Sequence, residues 1–423
     1  MPKYQKNKRR RRHRFSKIKT TQTVNMVPSD EETEEKQKKP RKLTSFRILN
    51  GKKQAKKIRR FIALGFILTL AVVIVLISLL SPTGIGEMYK NFSATFSFKS
   101  QLPVELHGTE SYAVSTKNNY FYLLSDTNIS VISNNGKISL SDNHGFSSPV
   151  LCESEARCLV YDQNGQNVRI YNAEELLLSK ETENIIYAAD IARDGTFAIA
   201  GKSEKFTSMV SVFSSDGELK YEWYCPEETI NAVAVAPDGN SVAVSTVSVS
   251  AGEFASAVYV LKFDSADPVF ERKYDSEYIY GFNSVSRKYF IVICENKCDI
   301  ISWKNLSVTT YETQYSIFNV KANNKCSVIA SCRENNDGNY SFIVYNRKNK
   351  PVLNFDFQEQ VDDFQIKGKN IFILSGNNVY LINGDGEIAK KGVCGFGIVK
   401  IIPVSSGSCL AVGHNSITKI NLQ

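Results

Sequence analysis

Between residues 117 and 407 a strand–turn–strand unit recurs at nearly even spacing, and that recurrence limits the fold more than any other feature of the chain. Its clearest copies are Ala188-Ala189-Asp190-Ile191-Ala192-Arg193-Asp194-Gly195-Thr196-Phe197-Ala198-Ile199-Ala200 and Asn231-Ala232-Val233-Ala234-Val235-Ala236-Pro237-Asp238-Gly239-Asn240-Ser241-Val242-Ala243-Val244-Ser245. Each is a short apolar strand, an Asp-Gly turn and a second apolar strand. Asp-Gly marks a tight hairpin because glycine accepts the positive φ such turns need. Weaker copies turn at Lys117-Asn118, Ser154-Glu155, Ser286-Arg287, Asn323-Asn324, Lys367-Gly368 and Ser406-Gly407, so successive turns lie 37 to 48 residues apart. A third strand, a turn and a fourth strand follow each hairpin, as in Val210-Ser211-Val212-Phe213-Ser214-Ser215-Asp216-Gly217-Glu218-Leu219. Four antiparallel strands per 40 to 45 residues is the pattern of a β-propeller blade.

The expected fold is therefore all-β, an eight-bladed propeller over residues 101–423, with seven blades as the fallback. The last copy supplies three strands before the chain stops at Gln423. The missing fourth is expected from the start of the domain, from Ala94–Phe98 or Val104–Leu106, because joining the two ends removes exposed strand edges.

Ahead of the repeats, residues 61 to 80 read FIALGFILTLAVVIVLISLL, twenty positions without a charge. That length suits one α-helix crossing about 30 Å of hydrocarbon. Nine basic residues fall in the twenty positions before the run and two, Lys90 and Lys99, in the twenty after residue 80. The asymmetry places the N-terminus in the cytoplasm and the repeats outside, at the cytoplasmic membrane. A cleaved signal peptide would have a shorter apolar core and a small-residue cleavage site, neither of which fits Ser81-Pro82-Thr83-Gly84. The expected divisions are a basic arm at 1–60, a transmembrane helix at 61–82, a linker with a possible closing strand at 83–100, and the propeller.

Residues 1–60 hold 22 Lys and Arg against 5 Asp and Glu, so the overall +9 belongs to the arm and the remainder is acidic. The arm has too few apolar residues to build a core. Its basic runs fit a topology signal held to anionic inner-leaflet lipids better than a nucleic-acid ligand.

The turn at Ala236-Pro237-Asp238-Gly239, followed by Val242-Ala243, resembles the first hairpin of TolB-like and WD-type propeller blades. With its basic arm, single helix and eight degenerate repeats, the whole chain resembles an uncharacterised family of membrane-anchored propeller proteins of Gram-positive bacteria. That resemblance implies a cell-envelope location and carries no activity across. The tryptophan pattern of quinone-dependent propellers is missing, since the chain has only Trp223 and Trp303.

No linear catalytic or metal motif is present. The four histidines, His13, His107, His144 and His414, stand apart from one another, and no H-E-x-x-H, G-x-S-x-G or phosphate-loop pattern occurs. No cofactor is expected. Nine cysteines follow the membrane run. Cys152 with Cys158, and Cys294 with Cys298, are placed symmetrically about hairpin turns, where facing positions come within disulfide reach in an oxidising exterior.

Three loops between second and third strands look long: Gly201–Ser208, Thr246–Ser256 and Cys332–Tyr340. They carry Lys202, Lys205, Phe206, Glu253, Phe254, Arg333, Glu334, Asp337 and Tyr340, and the blade-to-blade connections add His144, Phe146, Tyr278 and Tyr280 to the same face. Aromatic side chains among charges on loops held by a rigid scaffold are the composition of a binding surface. The expected function is a membrane-anchored, non-catalytic binding module for an envelope protein or wall polymer. The alternative is a hydrolase or lyase acting on a sugar or peptide in the central channel.

Overall fold

The computed structural model describes residues 101–423, apart from 107–110, 118–119, 155–156, 251, 287, 324 and 333–337, together with the isolated position Thr69. The segments expected to form the basic arm and the transmembrane helix, and the alternative closing strand Ala94–Phe98, lie outside the described residues.

Each repeat is one four-stranded antiparallel sheet, and among the described residues there are eight such sheets. Blades 1 to 7 use strands in sequence order, from Ser111–Lys117 through to Ile388–Val393. Their first strands touch one another in succession around the ring, and the first strand of blade 1 meets that of blade 8 (Ile398–Ser405). The ring is therefore closed.

Blade 8 is made from both ends of the domain. Ile398–Ser405, Ser408–Gly413 and Ser416–Asn421 supply three strands, and Val104–Glu105 adds the outermost, pairing Val104 with Ile417. Val104 is buried with Phe121, Ile402, Leu410 and Ile417, so this short strand also seals the seam between blades 8 and 1.

Position within a blade explains the sequence pattern of each strand. Second strands are covered on both faces by neighbouring blades and read as unbroken apolar runs, such as Tyr120–Ser125 (YFYLLS), buried throughout. Outer strands have one free edge and alternate, as in Leu219–Cys225 (LKYEWYC), whose Trp223 and Tyr221 pack on Tyr259 and Phe263 of blade 4. The Asp-Gly turns behave as their chemistry requires. Gly239 sits at φ +66°, and a side chain there would strike the Asp194 carboxylate of the turn in blade 3.

Polar side chains also tie neighbouring blades together. Asp190 in blade 3 accepts a hydrogen bond from Val235 N in blade 4 (2.7 Å), and Asp363 in blade 7 accepts one from Ile401 N in blade 8 (3.1 Å). Asn283 Nδ2 in blade 5 donates to Val320 O in blade 6 (2.6 Å). A buried main-chain polar group left without a partner costs about 1–3 kcal/mol, so each tie also stabilises the ring.

If the closing strand holds the ring, truncation should show a sharp boundary. Removing residues 1–100 is expected to leave the melting temperature of the propeller within a few degrees. Extending the cut through Leu106 exposes Ile417 and Phe121 and should lower stability by about 3 kcal/mol or more. Thermal unfolding of the two fragments measures the difference.

Candidate functional site

In blades 1 to 7 the turns joining strands one and two share a face with those joining three and four; we term this the lower face. The upper face carries the second-to-third-strand turns and the connections between blades. Several exposed apolar side chains gather on the upper face of blades 3 to 5.

Thr246–Ser256 differs from the expected loop. Its residues continue the second and third strands of blade 4, Ser241–Ser250 and Glu253–Lys262, in one unbroken register from Ser241↔Lys262 to Ser250↔Glu253. The first strand of the blade reaches only to Val247, so the tip of this hairpin stands clear of the sheet. The alternation of Val, Thr and Ser before Ala251-Gly252, and of Phe and Ala after it, already carries this signal, with Gly252 at φ +85° closing the turn.

At the tip, Val249 and Phe254 are directly cross-strand and are 64% and 52% exposed. Phe254 meets Tyr278 edge-on at 6.0 Å, and Tyr278 meets Tyr280 edge-on at 5.2 Å. The connection carrying the tyrosines is anchored by Ile279, fully buried between them, whose carbonyl oxygen accepts a hydrogen bond from Asn231 Nδ2 (2.8 Å). Alternation about a buried Ile279 turns both tyrosines outward. Glu253 accepts from Ser276 Oγ (3.3 Å), tying the hairpin to the same connection.

Lys202, Lys205 and Phe206 lie beside this surface on blade 3. Lys202 ends the second strand opposite Ser208, leaving a five-residue loop in which Ser203 Oγ accepts from Phe206 N (3.3 Å). Phe206 packs on Tyr224 at 5.4 Å, and both are exposed. Next to them a cleft of about 310 Å³ opens between blades 2 and 3, lined by Lys180, Ile199, Lys202, Met209, Phe213 and Glu222 among others. Lys180 lies over the Phe213 ring at 4.7 Å, and Glu222 accepts from Ser211 Oγ and Tyr224 OH (3.2 and 3.0 Å).

Other expected site residues are placed differently. Tyr340 is buried, edge-on to the exposed Phe318 at 5.4 Å. Arg333, Glu334 and Asp337 lie outside the described residues. His144 and Phe146 are buried inside the connection from blade 1 to blade 2. His144 Nδ1 accepts from Phe146 N (3.0 Å), so its Nε2 carries the proton donated to Ser125 O (3.1 Å). Phe146 takes the Arg169 guanidinium at 5.5 Å, and Arg169 pairs with Asp142 (3.2 Å). These two side chains build a seam between blades rather than a surface.

The cysteine pairs are not brought together; all nine cysteines are free thiols. Glu153, not Cys152, faces Cys158, and Ile293, not Cys294, faces Cys298. Both hairpins close with a two-residue turn, which moves each pair out of register by one. One residue is enough to send the two side chains to opposite faces of a sheet. Cys152 accordingly packs toward blade 3 and Cys158 among blade 1 side chains. Burial pushes the thiols of Cys294 and Cys298 up to about 12, and those of Cys152 and Cys158 well above their usual value.

The channel holds a feature that no short sequence window could disclose. Lys321 (blade 6), Asp363 (blade 7), Lys400 (blade 8) and Glu153 (blade 2) stand on first strands, and the other three charges all act on Lys321. Blades 2 and 6 are opposite one another in an eight-membered ring, so these side chains reach into the space between them. Burial disfavours the charge on Lys321, with Lys400 adding repulsion against the attraction of Asp363 and Glu153. Burial likewise raises the Asp363 carboxyl, opposed by Lys400 at 3.8 Å and by the Ile401 amide. Among the described residues no group of three or more His, Cys, Asp or Glu is placed to hold a metal ion.

Residues 90–422 match the family of unknown function DUF5711. The chain belongs to this family. The DUF5711 match spans the whole ring, closing strand included. No protein of curated function matches the sequence. Many solved structures are similar in fold, among them the crystal structure of BamB from Moraxella catarrhalis, at 11% identity and a TM-score of 0.49, covering 76% of this chain and 100% of that one. At that distance the similarity carries no functional inference.

Burial lowers the pKa of His144 below 6.5, although its hydrogen bond to Ser125 opposes the shift. A histidine that stays neutral in the fold contributes stability above the unfolded value, and that stability is lost as pH falls through about 6.5 and below. The melting temperature should therefore drop between pH 7.5 and pH 5.5, and His144→Gln should flatten that slope. Thermal melts of both proteins across this range provide the check.

Proposed function

We propose that this chain is a non-catalytic binding module, anchored by residues 61–82 in the cytoplasmic membrane and displaying its propeller outside the cell, where the upper face captures an envelope protein. The observation that carries the reading is the ladder of Val249, Phe254, Tyr278 and Tyr280. Four apolar side chains are held out toward solvent by a projecting hairpin and a connection whose own anchor is buried. Exposed aromatic clusters on rigid supports form the centres of protein interfaces, because little side-chain entropy is lost when they dock.

Adjoining features extend that surface. Phe206 and Tyr224 continue it across blade 3, and the cleft beside Lys202 offers apolar walls with charge at its mouth. Discrete aromatic contacts with polar surroundings suit a protein partner better than a repeating wall polymer, whose recognition calls for a long uniform groove. The channel favours binding over hydrolase or lyase chemistry, because Asp363, its most deeply buried acid, is set between the charges of Lys321 and Lys400. The anchored arrangement rests on the uncharged run of twenty residues and on the basic residues that precede it.

Capture from native envelope membranes tests the reading. Wild type should retain a defined partner, while Phe254→Ala combined with Tyr280→Ala should weaken binding by about 2 kcal/mol or more, roughly thirtyfold, at an unchanged melting temperature. Equal retention by both proteins would exclude this face. On intact cells, a cysteine introduced by Phe396→Cys, at a position 89% exposed on the upper face, should react with a membrane-impermeant maleimide. Labelling only after lysis would place the propeller inside.

A further inference from the structure

The lower face is divided by charge. The turns of blades 5 and 6 and the first turn of blade 7 run Ser286–Lys288, Trp303–Ser307, Asn323–Lys325, Asn346–Lys350 and Lys367–Asn370, and they contain no Asp or Glu. Lys288, Lys304, Lys325, Lys348, Lys350 and Lys369 are all exposed there. The second turn of blade 7 then carries Asp385 and Glu387. Across the ring, the lower turns of blades 2 to 4 are acidic, with Glu174, Glu175, Asp216, Glu218, Asp264 and Asp267 exposed. A basic sector of this kind on a domain that is acidic overall is a surface with a direction.

The chain joins the propeller on this same face. The outermost strand of blade 8, Val104–Glu105, runs antiparallel to Ser416–Asn421, so its N-terminal end lies at the lower turns. Gln101 N donates to Asn135 O (2.7 Å) in the lower turn of blade 1, and Leu102 packs against Gly136 of that turn. Only residues 83–100 separate this point from the helix expected at 61–82, a reach of at most about 65 Å when fully extended.

We propose that the basic sector of blades 5 to 7 docks on the anionic headgroups of the membrane in which the chain is anchored. The inference rests on the anchored reading above. Docked in this way, the lower face turns toward the bilayer, and the acidic sector of blades 2 to 4 tilts away from like charge. The aromatic ladder on the upper face then points outward to the envelope. Each basic side chain near an anionic surface adds to the attraction, and salt screens it over about 8 Å at physiological ionic strength. The contact is accordingly weak alone and effective when a tether holds the domain close.

The test uses residues 90–423, which contain every strand of the ring and lack the apolar run. The fragment should float with vesicles of phosphatidylcholine and phosphatidylglycerol, stay behind with phosphatidylcholine alone, and detach as salt rises. Combining Lys325→Glu, Lys348→Glu, Lys350→Glu and Lys369→Glu should cut vesicle binding at least about tenfold without changing the melting temperature. Reversing Asp216, Asp264 and Asp267 to Lys should not reduce it. Equal binding by wild type and the quadruple variant would overturn the proposal. So would binding to a soluble polyanion without any binding to anionic vesicles. Alkaline carbonate extraction of the full chain from its own membranes tests the anchor separately. Release there would refute the anchor whatever the vesicles show.

Discussion

Closure of the ring is the condition on which every other feature rests. A four-stranded sheet that is apolar on both faces cannot bury either one alone, and each blade here obtains its two covers from its two neighbours. A chain of eight such sheets has two unsatisfied ends, and they satisfy one another only by meeting. Val104–Glu105 makes that meeting permanent by placing the start of the domain inside its last sheet. Two residues suffice because Val104 is buried in a cluster drawn from blades 1 and 8. The ties from Asp190, Asn283 and Asp363 then fix how far one blade can slide against the next.

Given a closed ring, the loops are free to diverge, and the same rigidity explains why the aromatic ladder persists in water. Phe254, Tyr278 and Tyr280 would collapse onto the nearest apolar surface if their backbones could move. The hairpin of blade 4 is held by ten consecutive cross-strand pairs, and the connection after it is pinned by Ile279. Exposure of these rings is thus imposed by the backbone beneath them. His144 and Phe146 show the opposite outcome on an equivalent connection, where the rings fold inward and are satisfied by Ser125 and Arg169.

The blade count, the order of strands and the mixed closing blade were legible in the sequence because each depends on period and turn chemistry, which are local. Register was the harder matter. A hairpin read as symmetric about Glu155 or Asn296 pairs cysteines that a two-residue turn separates by one position, and the alternation of faces makes that small error complete. The projecting hairpin was legible in the alternation on both sides of Ala251-Gly252, but the distance between recognisable strands suggested a loop instead. The channel charges were not legible at all. Glu153 and Lys321 are 168 residues apart in sequence, and only an eight-membered ring sets them across from one another.

The two faces of the propeller differ for a reason that lies in the chain path. Each lower turn joins adjacent strands within one blade, so it is short, rich in Asp, Asn, Gly and Lys, and able to vary in charge with little effect on packing. The upper face also carries the connections that step from one blade to the next. Those segments must cross a seam, and they do so by burying an anchor such as Ile279 or Phe146 while their flanking residues remain outside. Apolar side chains are thereby brought to the upper rim as a by-product of joining blades, whereas charge accumulates below. An apolar rim above and a charged one below follow from the same four-stranded repeat. The chain enters the ring beside the lower turns, so its path brings the preceding residues to the charged face.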